Sequence, residues 1–171
     1  MGLKAVLAVA ALTLAGLASP VLAADTATAV LKDKDGKTVG SVTLTDTPNG
    51  VLLNVSLTRV PAGDHALHIH GIGKCEPPSF KSAGGHFNPD DKKHGILNPG
   101  GPHAGDMPNI HLPDSGKLQI EVLNTRVSLN GGAALLDDDG SALLIHAGAD
   151  DYKTDPTGEA GGRIACGVVT K

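Results

Sequence analysis

Thr26-Ala27-Thr28-Ala29-Val30-Leu31-Lys32 opens a set of three short runs, continued by Lys37 to Thr45 and Val51 to Thr58. Each alternates or clusters β-branched residues, which lose little χ1 freedom on a pleated surface and pack well there. Between them stand Asp33-Lys34-Asp35-Gly36 and Thr47-Pro48-Asn49-Gly50, residue types that set φ or bond to their own backbone in turns. The spacing predicts sequential hairpins. Working outward, Ala66 to His70, Lys117 to Val122, Arg126 to Leu129, Ala142 to His146 and Arg163 to Thr170 read as further strands. No run beyond residue 23 keeps a helical period over about eleven residues. About eight strands without helices point to an all-β sandwich or small barrel. With no tryptophan, and only Phe80, Phe87 and Tyr152 as aromatics, its core must be aliphatic.

The first residues read as an export signal: Lys4, an apolar run from Ala5 to Ala18, then Ser19-Pro20-Val21-Leu22-Ala23. The run is too short for a membrane span, and no second apolar run follows. Cleavage after Ala23 divides the chain into a signal peptide, 1–23, and one domain, 24–171. Losing Lys4 leaves 13 basic against 18 acidic residues, a mature net charge near −5. No basic face emerges, which argues against nucleic acid as a partner. Cys75 and Cys166 are the only cysteines. An oxidising compartment favours their pairing, the alternative being two buried free thiols.

Two segments break the strand rhythm. Gly71 to Ser115 and Ala147 to Gly162 are rich in Gly and Asp and are expected to be irregular. Long loops in a compact domain are usually functional or disordered. The histidines favour the first, because a metal can order a segment too polar to pack alone.

His68 and His70, two apart on a strand, can point both imidazoles at one ion. His86, His94, His103 and Asp106 supply three imidazoles and a carboxylate on a chain bent by Pro89, Pro99 and Pro102. That donor set suits a closed tetrahedral zinc site. His146, ending an apolar run, can join His68 and His70 in an all-nitrogen site of the kind Cu(II) favours. A histidine has two ring nitrogens, so one could serve both ions. Spacing leaves open which one.

The run His68-Ile69-His70-Gly71-Ile72-Gly73-Lys74-Cys75 resembles the H-x-H-x-x-G-x-C signature of exported bacterial copper/zinc superoxide dismutases. Gly85-His86-Phe87-Asn88-Pro89 with His94, His103 and Asp106 is similar to that family's zinc loop. Leu144-Ile145-His146 and Gly161-Gly162-Arg163-Ile164-Ala165-Cys166-Gly167 are similar to its last two signatures. The four matches, in order, cover essentially the whole mature chain.

The resemblance implies an eight-stranded Greek-key β-barrel, sandwich-like, an architecture for which this family is itself a standard example. It implies copper held by His68, His70, His86 and His146, and zinc by His86, His94, His103 and Asp106, one ion of each per subunit, with His86 as the bridge. Asp150 corresponds to a carboxylate linking His68 to His94, Arg163 to the guanidinium that orients superoxide beside copper, and Cys75–Cys166 to an intrasubunit disulfide. The implied activity is dismutation of superoxide to oxygen and hydrogen peroxide by a redox-cycling copper beside a structural zinc. The implied setting is antioxidant defence in the periplasm, as a monomer or a homodimer. Glu159 stands where the family more often has Gly or Asn, and either adds negative charge near the substrate channel or points to solvent. The loop before Arg163 is shorter than in animal members, so their substrate-guiding charges do not carry over; further guiding lysines stay unassigned, with Lys153 as a candidate.

The remaining residues take plainer roles. His65 and His111 are expected at the surface or in loops, Met107 in packing, Lys92 and Lys93 in solvent. Asp137-Asp138-Asp139-Gly140 reads as a turn, with a weak calcium site as its alternative. Three other functions compete: an export-compartment metal buffer, a zinc hydrolase and a purely structural β-domain. A buffer has no use for Arg163. A closed zinc site leaves no position for an activated water. The number of ligand-type residues weighs against a structural domain.

Overall fold

Strand β1 (Thr26–Asp33) buries every second residue, Ala27, Ala29 and Leu31, and exposes those between. Strands β2 (Thr38–Thr47) and β3 (Gly50–Leu57) send Val42, Leu44, Val51, Leu53, Val55 and Leu57 to the same interior. The computed structural model describes residues 25–171; the expected export signal lies outside them. Turns at Asp33 to Lys37 and at Thr47 to Gly50 close the two hairpins, the second sealed by Thr47 Oγ1 donating to Gly50 O at 2.7 Å.

The other strands are β4 (Gly63–His65), β5 (Leu67–His70), β6 (Ile110–Leu112), β7 (Leu118–Asn124), β8 (Ala142–His146) and β9 (Arg163–Thr170). Seven of them form one sheet in the order β5-β8-β9-β1-β2-β3-β7, and β4 pairs with β6. All pairings are antiparallel. β9 returns beside β1, and the chain leaving β3 crosses to the opposite edge as β5, consistent with a Greek key. The curled sheet is a half-barrel of the expected all-β fold, with seven strands and the β4–β6 pair where eight strands are expected. It encloses an aliphatic core in which Phe87 is the one buried aromatic.

Two strand expectations are corrected. β4 and β6 are each three residues long, too short to print a pattern on the sequence. Arg126 to Leu129 joins no ladder. Val127 and Leu129 alternate because both point inward, while Ser128 makes only one bridge, to Ala134. The two long loops are irregular as expected, except for β6 and one 3₁₀ turn at Lys81–Ala83.

Strand β8 is buried on both faces. Leu143 and Ile145 join the main core; Ala142 and Leu144 pack with Phe80, Ala83 and Cys166 under the first loop. Cys75 and Cys166 are disulfide-bonded across that second cluster, which excludes the free-thiol alternative.

Candidate metal centre

The site begins on β5. Leu67 and Ile69 enter the core, so His68 and His70 point to the other face, and both are fully buried there. Their cover is the first loop, which folds onto the free edge of β5 through backbone bonds. Ile69 N donates to Gly105 O (3.0 Å), Phe87 N to Ile69 O (2.8 Å) and Gly71 N to Gly85 O (3.0 Å). Bridges His68 to Asp106 and His70 to His86 extend the sheet, so residues nearly 40 apart in sequence become neighbours. β8 pairs with β5 on its other side and brings His146 alongside.

Three polar clusters result. His68, His70, His86 and His146 form one; His86, His94, His103 and Asp106 form a second; His68, His94 and Asp150 form a third. In each, one ligand-type atom per residue lies within 4.8 Å of all the others, and every member is buried. The structure therefore brings together all seven residues proposed from the sequence, with Asp150, and His86 belongs to two clusters.

In the first cluster each ring has one nitrogen engaged. His68 Nε2 donates to Asp150 Oδ2 (2.8 Å), His70 Nδ1 to Gly84 O (3.0 Å) and His146 Nδ1 to Gly161 O (3.3 Å), while His86 Nδ1 lies 2.8 Å from Asp106 Oδ1. The opposite nitrogens, His68 Nδ1 and Nε2 of His70, His86 and His146, are buried with no hydrogen-bond partner. Orphaned buried polar atoms cost roughly 1–3 kcal/mol each, so four in one place call for an explanation. Burial keeps three of the rings, His68, His70 and His146, neutral. It lowers the pKa of His70 to about 2 and of His146 to about 3, with nearby imidazoles adding to the effect, and it lowers His68 against the pull of Asp150. A neutral imidazole whose N–H is spent on a partner presents a lone pair at the other nitrogen, which is the form that ligates.

The second cluster is held by Asp106. Its Oδ1 lies 2.8 Å from His86 Nδ1, 3.1 Å from His94 Nδ1 and 3.4 Å from His103 Nδ1. Its Oδ2 accepts from Gly95 N (2.9 Å) and His103 N (3.0 Å). Burial would raise its pKa, but the bonds from His86, His94 and Gly95 outweigh that and hold it below the usual carboxylate range. His94 lies between two carboxylates, with Nε2 at 2.9 Å from Asp150 Oδ1. Desolvation lowers its pKa, yet those hydrogen bonds prevail and raise it to about 9, so without metal it carries both protons. Three imidazole nitrogens and one carboxylate oxygen within bonding reach of a common point are the donor set of a closed tetrahedral site.

Asp150 joins the two clusters. Its carboxylate accepts from His68, His94 and Tyr152 N, and these bonds overcome its burial to keep it ionised. Gly158 packs against it at φ +65°, and a Cβ there would lie 1.9 Å from Asp150 Oδ1, so only glycine fits. Asn109 fixes the Asp150 backbone in both directions, Nδ2 to Asp150 O (2.9 Å) and Asp150 N to Oδ1 (2.8 Å). Sequence reasoning missed Asn109, which carries no ligand chemistry of its own.

Arg163 is half-buried. Its two terminal nitrogens donate to Phe80 O and Gly84 O, both at 2.6 Å, and Gly84 O also accepts from His70. The guanidinium lines a cavity of about 430 Å³ with Pro78, Ser79, Lys81, Gly161 and Gly162. Lys81, not Lys153, is thus the lysine on that wall. Glu159 is exposed and sits at φ +51°, where Gly and Asn are at ease and a longer side chain is strained.

His111 is exposed and paired with Asp64 at 2.7 Å, and Met107 lies in the core, as expected. His65 is a correction. It is buried on β4, with Nδ1 at 2.8 Å from His146 O and Nε2 at 3.0 Å from Pro61 O, because β4 tucks under the sheet end where β8 stops. Lys93 is exposed to solvent as expected, and its ammonium pairs there with Asp155 at 3.1 Å.

Residues 38–169 match the family model of copper/zinc superoxide dismutase. Over 140 residues the chain is 54% identical to "Superoxide dismutase [Cu-Zn] 1" of Aquifex aeolicus, covering 80% of this chain and 83% of that one. It is 48% identical over 147 residues to "Superoxide dismutase [Cu-Zn]" of Caulobacter vibrioides, covering 84% of each. Among solved structures, a double mutant of a SOD-like protein from Bacillus subtilis superposes with a TM-score of 0.81 at 40% identity, covering 84% of this chain and 97% of that one.

Proposed function

The chain belongs to the copper/zinc superoxide dismutase family, and from that premise we propose how its residues divide the work. It is an enzyme that converts superoxide to oxygen and hydrogen peroxide with copper and zinc as its metals. His68, His70, His86 and His146 hold copper; His86, His94, His103 and Asp106 hold zinc. One observation carries this assignment: the four buried nitrogens without partners belong to the four members of the first cluster, while His86 turns its other nitrogen to Asp106.

Copper, when bound, supplies the one-electron redox change that zinc cannot. The chain supplies the rest. Asp150 and the carbonyls of Gly84 and Gly161 accept hydrogen bonds from the N–H groups of His68, His70 and His146, so each ring turns a lone pair inward. His86 belongs to both clusters, and its Nε2, buried without a hydrogen-bond partner, is the atom that would carry a proton to the product whenever it is not engaged by copper. Asp106 and Asp150 offset the positive charge gathered in the core. Arg163, fixed by two carbonyls, binds the incoming anion at the cavity wall. The whole chain carries a net charge of −4, so attraction must come from the local field of Arg163, Lys81 and the metals. Superoxide dismutases are themselves the usual illustration of such steering.

The working form is residues 24–171, released in the periplasm by cleavage after Ala23; the disulfide supports an oxidising compartment. No helix among the described residues is long and apolar enough to cross a membrane. Sedimentation of the mature chain decides between monomer and homodimer. The ligand assignment is tested by metal content after loading with both ions. His146→Ala should lose copper and keep zinc, and His103→Ala should lose zinc. Full copper in the first variant would overturn it.

A further inference from the structure

We infer that Asn124 and Arg126 form a clamp, mounted on the barrel, that presets the zinc end of the site; this rests on the assignment of His86, His94, His103 and Asp106 to zinc. Two of those ligands, His103 and Asp106, lie in one tight turn. Every carbonyl of that turn is engaged, one within the turn and three from outside it. His103 O accepts from Asp106 N (3.2 Å) and Gly105 O from Ile69 N on β5 (3.0 Å). Ala104 O accepts from Asn124 Nδ2 (2.8 Å) and Asp106 O from the Arg126 guanidinium (2.7 Å).

The last two bonds act as a unit. Asn124 Oδ1 accepts from Arg126 N at 2.9 Å, which fixes the amide so that its NH₂ faces Ala104. Asn124 is buried at the end of β7, paired in register with Val51 of β3. Behind it, the β2–β3 turn packs so closely that a Cβ on Gly50 would lie 2.2 Å from Asn124 O. Asn124 therefore stands on two paired strands of the barrel, β7 and β3, and Arg126 follows in the turn directly after β7. The clamp grips the backbone carbonyls of the ligand turn, while the Asp106 carboxylate turns Oδ1 to His86 and His94. A carbonyl bonded to a cation is held more firmly than one bonded to a neutral donor.

Asn124 and Arg126 are positioning residues, since neither reaches the ligand atoms. Outer partners that orient metal ligands typically account for 10–100-fold in affinity. Asn124→Ala strands the buried Ala104 carbonyl and should weaken zinc binding by about 10–100-fold. Arg126→Ala removes an exposed side chain, so water can enter to meet the Asp106 carbonyl, and the loss should lie near the lower end, about tenfold. Arg126→Lys keeps a charged donor and should recover most of the loss.

The experiment uses the mature chain stripped of metal. Zinc is titrated against a chromophoric chelator, cobalt(II) absorption reports the coordination geometry, and the metal-free melting temperature is recorded alongside. The clamp requires weaker zinc binding and a broadened cobalt spectrum, with partial rescue in Arg126→Lys. Zinc affinity within about twofold of the parent in both alanine variants overturns it, whatever the melting temperature does. If Arg126→Ala does not fold, Arg126→Gln and Arg126→Lys give the same comparison. His103→Ala serves as the control: unchanged zinc binding there would mean that the zinc assignment, not the clamp, had failed.

Discussion

Replacing Asp150 by Asn removes one charge while keeping shape, and the structure shows where the effect must go. The carboxylate accepts from His68 Nε2 at 2.8 Å and from His94 Nε2 at 2.9 Å, inside a site with almost no solvent access. An amide has one oxygen and one NH₂, so one histidine will face a donor. If that is His68, its proton must move from Nε2 to Nδ1. Nδ1 is among the four orphaned nitrogens of the copper cluster. A ring protonated there cannot ligate without first giving the proton up. Losing a charged hydrogen-bond partner of this kind is worth roughly 1.5–3 kcal/mol, or about 10–150-fold in affinity. Copper affinity of Asp150→Asn should fall by that amount. Zinc affinity should fall less, near tenfold, because an amide whose NH₂ faces His68 still offers its oxygen to His94 Nε2. Chelator competition measures both constants, and nitrogen NMR of the metal-free protein reads the His68 tautomer. Affinities within twofold of the parent, with His68 still protonated at Nε2, would refute the reasoning.

Arg163→Ala should slow turnover and flatten its dependence on ionic strength, and Lys81→Ala should do the same more weakly; a stopped-flow salt series in which neither changes would remove both from the steering role. The metal-free protein should be most stable near pH 6–7. His70 and His146 are neutral in the fold with pKa values depressed to about 2 and 3, so stability is lost as pH falls below 6.5, at about 1.4 kcal/mol per unit for each. His94 has the opposite sign, raised to about 9, so its contribution is full below 6.5 and is lost as pH climbs through 9. Chemical denaturation of the metal-free chain across that range checks the maximum. Cys75→Ala with Cys166→Ala opens a loop with a sequence separation of 91 and should lower stability by roughly 4–5 kcal/mol on the chain-entropy model, read as a shift in denaturation midpoint.

The sequence showed most clearly whatever repeats with a period or bears ligand chemistry. Alternation in Thr26–Asp33 and Gly50–Leu57 is written in Ala27, Ala29, Leu31, Val51, Leu53 and Val55, and the strands follow it closely. Ala142–His146 and Arg163–Thr170 have the bounds expected of them. Arg126 to Leu129 misled because inward-facing Val127 and Leu129 imitate a strand that has no ladder partner. The ligand histidines could be picked out because imidazoles are rarely gathered without purpose. The residues that steady them could not. Asn109 grips a backbone 41 residues away, Arg126 a carbonyl 20 away, and His65 the carbonyl of His146, 81 away. Such contacts are made by the folded path of two loops, and neither composition nor spacing encodes that path. Lys81 belongs with them: only the 3₁₀ turn and the crossing of the second loop bring it to the wall shared with Arg163.

Superoxide decay followed by stopped flow tests the central claim most directly, comparing the mature chain loaded with copper and zinc against the same chain loaded with zinc alone. The account requires fast, catalytic decay in the first sample and background decay in the second, with His146→Ala behaving like the second after loading with both ions. Stoichiometric copper binding with no decay above background would contradict it, and would describe a protein that stores copper without turning it over.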